Sequence, residues 1–152
     1  MIQLPEIPVR QKQNSLSAEE LLPLVLDSIT DKKGEKIVCI DLRKIGDAMS
    51  DYFVICEANT PTQMRAIAEH VVQNVKEKTR AVPLHTEGID SQEWILVDYF
   101  DLVLHVFQRE RREAFALEEL WADGTITAYD DGGKPTLVIQ PQEVPLNLKK
   151  KR

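Results

Sequence analysis

EWILVDYFDLVLHVF, Glu93–Phe107, carries bulky apolar side chains at most positions and contains neither Gly nor Pro. Its β-branched and aromatic content reads as two strands, Glu93–Asp98 and Asp101–Phe107, joined at Tyr99-Phe100. A link that short predicts an antiparallel hairpin. Both faces of each run are apolar, so both strands are expected to be covered on both sides. Asp98 and Asp101 flank the turn, where carboxylates ordinarily accept from nearby backbone N–H groups. His105 is a lone imidazole in an apolar run, which reads first as a hydrogen-bonded structural residue.

Upstream, SAEE predicts a helix capped by Ser17 with Glu20 as its capping-box partner. Leu22, Val25, Leu26 and Ile29 form its apolar stripe, Pro23 threatens its start, and Gly34 ends it. Lys36–Leu42 and Asp51–Ala58 read as strands. Thr60, Pro61 and Gln63 open a second helix whose buried stripe is Met64, Ile67, Ala68, Val71, Val72 and Val75. Ala81–Gln92 reads as a loop. Arg109–Trp121 reads as a third helix, with Ala114, Leu117 and Leu120 or Trp121 inward and an Arg109–Glu113 pair outside. The order is α-β-β-α-β-β-α, a mixed β-sheet flanked by helices in the α/β or α+β class. Residues 1–16 read as a flexible arm and 17–123 as the domain. Residues 124–152 read as an extension, with a hairpin of TITAY and TLVIQ around DDGGKP and a basic tail.

The chain has 152 residues, about one domain, and 43% of them are apolar. Nothing in it resembles a signal peptide or a membrane span, so a soluble cytoplasmic protein is expected. Cys39 and Cys56 each sit in an apolar run and read as buried small hydrophobes. The net charge is −6 and the last four residues supply +4, which leaves −10 on residues 1–148. An acidic body repels phosphate backbones and suits a basic partner protein, so no direct nucleic-acid contact is expected.

No phosphate-binding glycine motif, nucleophile elbow or closely spaced His/Cys ligand set is present. Nucleotidyl transfer needs two acids close together to hold magnesium, commonly as Asp-x-Asp on one strand, and this sequence has none. A magnesium-dependent nucleotidyltransferase using Asp41, Asp51 or Asp98 is therefore the alternative reading, without positive support.

DYFVICEANTPTQMRAIAEHVV, EWILVDYFDLVLHVF and RREAFALEELW together resemble the ribosomal silencing factors, the Iojap-related family. The resemblance covers residues 17–123, and its last two motifs are specific. It implies a nucleotidyltransferase-like fold without catalytic acids, hence no enzyme, no cofactor and no metal site. It further implies a translational repressor that binds the large ribosomal subunit through its fourteenth protein and sterically blocks joining of the small subunit when nutrients are scarce. A homodimer in the free state and no membrane contact follow from the same resemblance. The family's docking surface falls on Trp94 and Phe115, and Asp98, Tyr99, Phe100, Asp101, Glu118 and Trp121 belong to the same motifs. Phe100 stands where the family usually has Gly, and Phe115 where Tyr is common. Most members stop soon after the Leu120-Trp121 pair, so residues 124–152 take nothing from the resemblance.

Overall fold

The computed structural model describes residues 10–12 and 14–141. The start of the N-terminal arm and the basic tail lie outside the described residues. Eleven elements follow in the order α1 (Ala18–Asp31), β1 (Glu35–Asp41), β2 (Tyr52–Ala58), α2 (Pro61–Thr79), β3 (His85–Glu87), β4 (Trp94–Asp98), β5 (Leu102–Gln108), α3 (Arg109–Phe115), α4 (Leu117–Leu120), β6 (Thr125–Tyr129) and β7 (Pro135–Ile139). The strands make one mixed sheet in the order β3-β4-β5-β2-β1-β6-β7. Only β2 and β5 pair in parallel, which a chain can do only by crossing over through other structure, here α2 and the β3–β4 segment. This central pair is buried almost throughout.

α1 begins at Ala18 in spite of Pro23, because Ser17 caps it by accepting from the Glu20 N–H at 3.2 Å. Its buried stripe runs through Ala18, Leu21, Val25, Leu26 and Ile29, so Val25, Leu26 and Ile29 lie inward as expected and Leu21 takes the place of the half-buried Leu22. α2 follows the sequence pattern closely, although Val72 is half-buried. Thr60 accepts from the Gln63 N–H at 3.1 Å, and the Gln63 side chain donates to the Lys33 carbonyl at 3.0 Å, tying the start of α2 to the end of α1. Both helices cover one face of the sheet, where Asn74 donates to Ser28 at 2.8 Å between them. The other face carries a second apolar cluster built on Ile40, Phe53, Ile55, Val103, Phe107 and Trp121. Cys39 and Cys56 are buried and unpaired, and burial pushes both thiols up to about 12.

Several expectations need correction. The 81–92 loop contains β3, three exposed polar residues whose pairing with β4 no hydrophobic pattern announces. The third helix is broken at Ala116, which sits at φ +51. Residues six apart on an unbroken helix point roughly 120° away from each other. The break instead brings Glu118 back to Arg112, whose Nε donates to Glu118 at 2.9 Å. Ala114 is consequently exposed and Arg112 is buried in its place. Arg109 pairs with Glu35 and Glu57, not with Glu113. β4 is covered on one face only, for Trp94 and Leu96 are half-buried. The extension continues the domain's own sheet, since β6 pairs with β1 and the expected second hairpin forms between β6 and β7. No helix among the described residues is long and apolar enough to cross a membrane.

Gly124 allows β6 to reach β1. A Cβ there would lie 2.6 Å from the Asp41 carbonyl oxygen and 2.8 Å from Cγ2 of Ile40. Gly124→Ala is expected to destabilise the protein by about 1–3 kcal/mol, the usual cost of overpacking against backbone. A urea midpoint equal to that of the parent chain would show that β6 can retreat freely.

Candidate docking surface

Trp94 opens β4 and lies across from Phe107 of β5, their rings stacked at 5.1 Å. Phe115, at the end of α3, closes the group at 4.7 Å from Trp94 and 5.5 Å from Phe107. The indole Nε1–H of Trp94 donates inward to Nδ1 of His105 at 3.1 Å. Phe107 and His105 are buried, whereas Trp94, Leu96 and Phe115 remain half-exposed. Together with Glu87, Gly88, Ser91 and Glu93 these three line a groove of about 280 Å³. Glu87 and Glu93 are exposed and make its acidic rim. Arg111 partly spans that rim, 3.4 Å from Glu93 and 5.9 Å from the centre of the Phe115 ring.

Phe115 is held there by a buried ion cluster under α3. Glu57, at the end of β2, is only 4% exposed and accepts from Arg112 at 3.1 Å and from Arg109 at 3.1 Å. Arg112 also donates to the Lys36 carbonyl at 2.6 Å, at an irregularity in β1 where Lys36 takes φ +49. A carboxylate in that position requires partners, and removing one from a buried pair typically costs 3–5 kcal/mol. The demand fixes α3, and α3 fixes Phe115.

The family model for the ribosomal silencing factor during starvation matches residues 15–149. The chain belongs to the ribosomal silencing factor family. A curated ribosomal silencing factor from Halalkalibacterium halodurans is 35% identical over 108 residues, covering 71% of this chain and 91% of that protein. A mouse protein named for mitochondrial assembly of the ribosomal large subunit is 29% identical over 109 residues, covering 70% of this chain and 46% of the mouse chain. The crystal structure of a Chromobacterium violaceum protein superposes with a TM-score of 0.65 at 28% identity, covering 70% of this chain and 87% of the other.

The residues that the silencing-factor motifs single out separate into two places. Trp94, Phe115, Glu118 and Trp121 share the face beneath α3 and α4. Trp121 is 9% exposed and meets Phe53 edge-on at 5.8 Å, so it supports this face from within. Glu118 is half-buried and already bonded to Arg112. Asp98, Tyr99, Phe100 and Asp101 lie at the opposite end of β4. There Asp98 is 4% exposed and Tyr99 1% exposed. Asp98 accepts from the Phe100 N–H at 2.7 Å and takes Arg10 in a two-pronged bond at 2.7 and 3.0 Å. Burial pushes the Tyr99 phenol up. Phe100 adopts φ +77, a left-handed conformation that favours glycine. A side chain there costs roughly 1–2 kcal/mol. The Phe100 carbonyl accepts from Ser50 at 2.8 Å and Arg10 at 2.7 Å, and the Arg10 guanidinium lies 4.4 Å above the ring, which offset that cost. Arg10 belongs to the segment read as a loose arm, and that segment gives no hint of the clamp. Leu96, Phe107, Glu87 and Glu93 were missed as members of the site. The period-two alternation of Trp94 and Leu96 along β4 is the signal that marks Leu96.

Asp98→Ala removes the acceptor for a positive-φ residue and the partner of Arg10. Thermal or urea unfolding is expected to show a loss of about 2–3 kcal/mol, the range for charged hydrogen bonds; a loss under half of that would mean that Arg10 and Ser50 hold the turn without it. Burial pulls His105 down to about 3. The unfolded imidazole takes its proton near pH 6.5 and the folded one does not, so this group subtracts stability as pH falls from 6.5 towards 3. At pH 5 the subtraction is about 2 kcal/mol. His105→Phe is expected to flatten the pH 7 to pH 5 difference by about that amount, and an unchanged difference would assign the acid sensitivity to carboxylates.

Proposed function

We propose that this chain represses translation by occupying the large ribosomal subunit through its fourteenth protein, sterically blocking association with the small subunit. The carrying observation is the half-exposed Trp94–Phe115 pair, set rigidly on Phe107 and rimmed by Glu87 and Glu93. Protein interfaces concentrate their binding free energy in such aromatic anchors and place charge at the rim. The family name and the large-subunit name of the mouse relative support a ribosomal destination. The charge of −10 on residues 1–148 suits a basic partner. Inhibition then needs occupancy and no reaction. We further propose that the factor acts in the cytoplasm under starvation and is a homodimer when free.

The acids of the alternative nucleotidyltransferase reading are otherwise engaged. Asp41 accepts from Arg43 at 2.7 and 3.0 Å, and these bonds hold its carboxyl below the usual range. Asp98 is taken by Arg10. Asp51 is pushed upward by burial and by Asp101 nearby, and no group of three or more His, Cys, Asp or Glu among the described residues is arranged to hold a metal. These engagements favour the docking reading.

Sucrose-gradient sedimentation of ribosomal subunits with the added protein tests it. The protein is expected to travel with large subunits while whole ribosomes diminish; whole ribosomes persisting at saturating protein would exclude steric blocking. Trp94→Ala should weaken binding to the purified partner by about 2 kcal/mol or more, as hot-spot truncations do, with the fold intact by circular dichroism. The association rate should fall as salt rises, because the rim charges act through steering; a salt-independent on-rate would contradict the charge argument.

A further inference from the structure

The imidazole of His105 is a fixed part of the Trp94 anchor. Its Nδ1 accepts the indole N–H at 3.1 Å, so the ring's own hydrogen must sit on Nε2. Nε2 is buried and has no hydrogen-bond partner among the described residues. Phe53 packs against the imidazole edge-on at 4.7 Å, and Phe107 lies nearly parallel to it at 6.3 Å. An unpartnered buried N–H lowers stability, so this histidine is a poor choice for the core alone. Its value lies at Nδ1, the atom that faces Trp94.

We propose that His105 is a positioning residue: held as the Nε2–H tautomer, it locks the Trp94 indole onto Phe107 and Phe115 and turns its only hydrogen-bond donor inward. The proposal rests on the docking reading and sharpens it in two ways. A pre-set indole loses little rotamer freedom on binding, and each mobile side chain spared that loss improves affinity several-fold. The groove also then presents aromatic faces and carboxylates, but no indole donor. The partner group that meets Trp94 is therefore one without an acceptor to satisfy, namely the apolar stem and cationic head of a Lys or Arg reaching towards Glu87 and Glu93. A carbonyl or carboxylate set against Trp94 would find no indole hydrogen to accept.

Heteronuclear NMR of the isotope-labelled full chain reads the first part without any partner. A through-hydrogen-bond coupling between Trp94 Nε1 and His105 Nδ1 is expected, with the ring hydrogen on Nε2; a hydrogen on Nδ1 would overturn the proposal. Binding to the purified ribosomal protein reads the rest. His105→Phe keeps an aromatic ring and removes the acceptor, and should weaken binding about five-fold, since the freed indole must be re-ordered. His105→Asn returns an acceptor at the Nδ1 position and should recover most of that loss. Should His105→Phe fail to fold, His105→Gln, whose amide reaches the Nε2 position and leaves no acceptor at the Nδ1 position, provides the same comparison with Trp94 intact. The coupling should survive in the complex; its disappearance would show the indole donating to the partner. Equal affinity of wild type and His105→Phe overturns the positioning role, whereas failure of the wild type to bind at all removes the docking reading and leaves the NMR result to stand alone.

Discussion

Glu57 needs a countercharge, and the arrangement of the open face follows from that need. A carboxylate at the end of a central strand, 4% exposed, cannot remain without a partner at ordinary cost. Arg109 and Arg112 supply the countercharge from the first turn of the helix that β5 runs into. Arg112 is itself buried and also donates to Glu118 and the Lys36 carbonyl. Three elements distant in sequence are thereby joined at one guanidinium. Leaving any of these groups unpaired costs more than forming the pair contributes, so the cluster acts more as a constraint on geometry than as a source of stability.

The constraint separates two faces with different roles. α1 and α2 close one side of the sheet with an apolar layer into which the Asn74–Ser28 hydrogen bond is set. On the other side α3 ends after two turns and Ala116 turns the chain back. Leu117, Leu120 and Trp121 cover the middle of that face, while the Trp94 end stays open. A surface of half-covered aromatics on a rigid sheet suits recognition, because little entropy is lost when something settles on it.

The turn at the far end of β4 shows the opposite use of similar residue types. Asp98, Tyr99 and Phe100 belong to the family motifs, and Asp98 performs the turn chemistry its place beside the turn leads one to expect. The strain of a phenylalanine at φ +77 is tolerated because its N–H and its carbonyl are both bonded and Arg10 stacks on the ring. A clamp made by a residue near the N-terminus thus lets a side chain occupy a backbone conformation that favours glycine.

Much was legible in the sequence. The 3.6-residue spacing and caps gave α2 nearly residue by residue, β-branched and aromatic content gave the hairpin strands, and Trp94 and Phe115 came from motif resemblance. These features are local, so a short window of residues contains their cause. The sequence could not show which strands pair in parallel, that an exposed His85–Glu87 segment joins the sheet, or that a helix pattern breaks at Ala116. Nor could it show that Asp98 is buried by an arginine 88 positions away. Each of those outcomes depends on burial and on countercharges brought from distant parts of the chain. Local propensity and caps determined where α1, α2 and the hairpin strands begin. Only tertiary packing decided which face stayed open and which acids were already satisfied, because desolvation of a charge or a ring is set by whatever the rest of the fold places beside it.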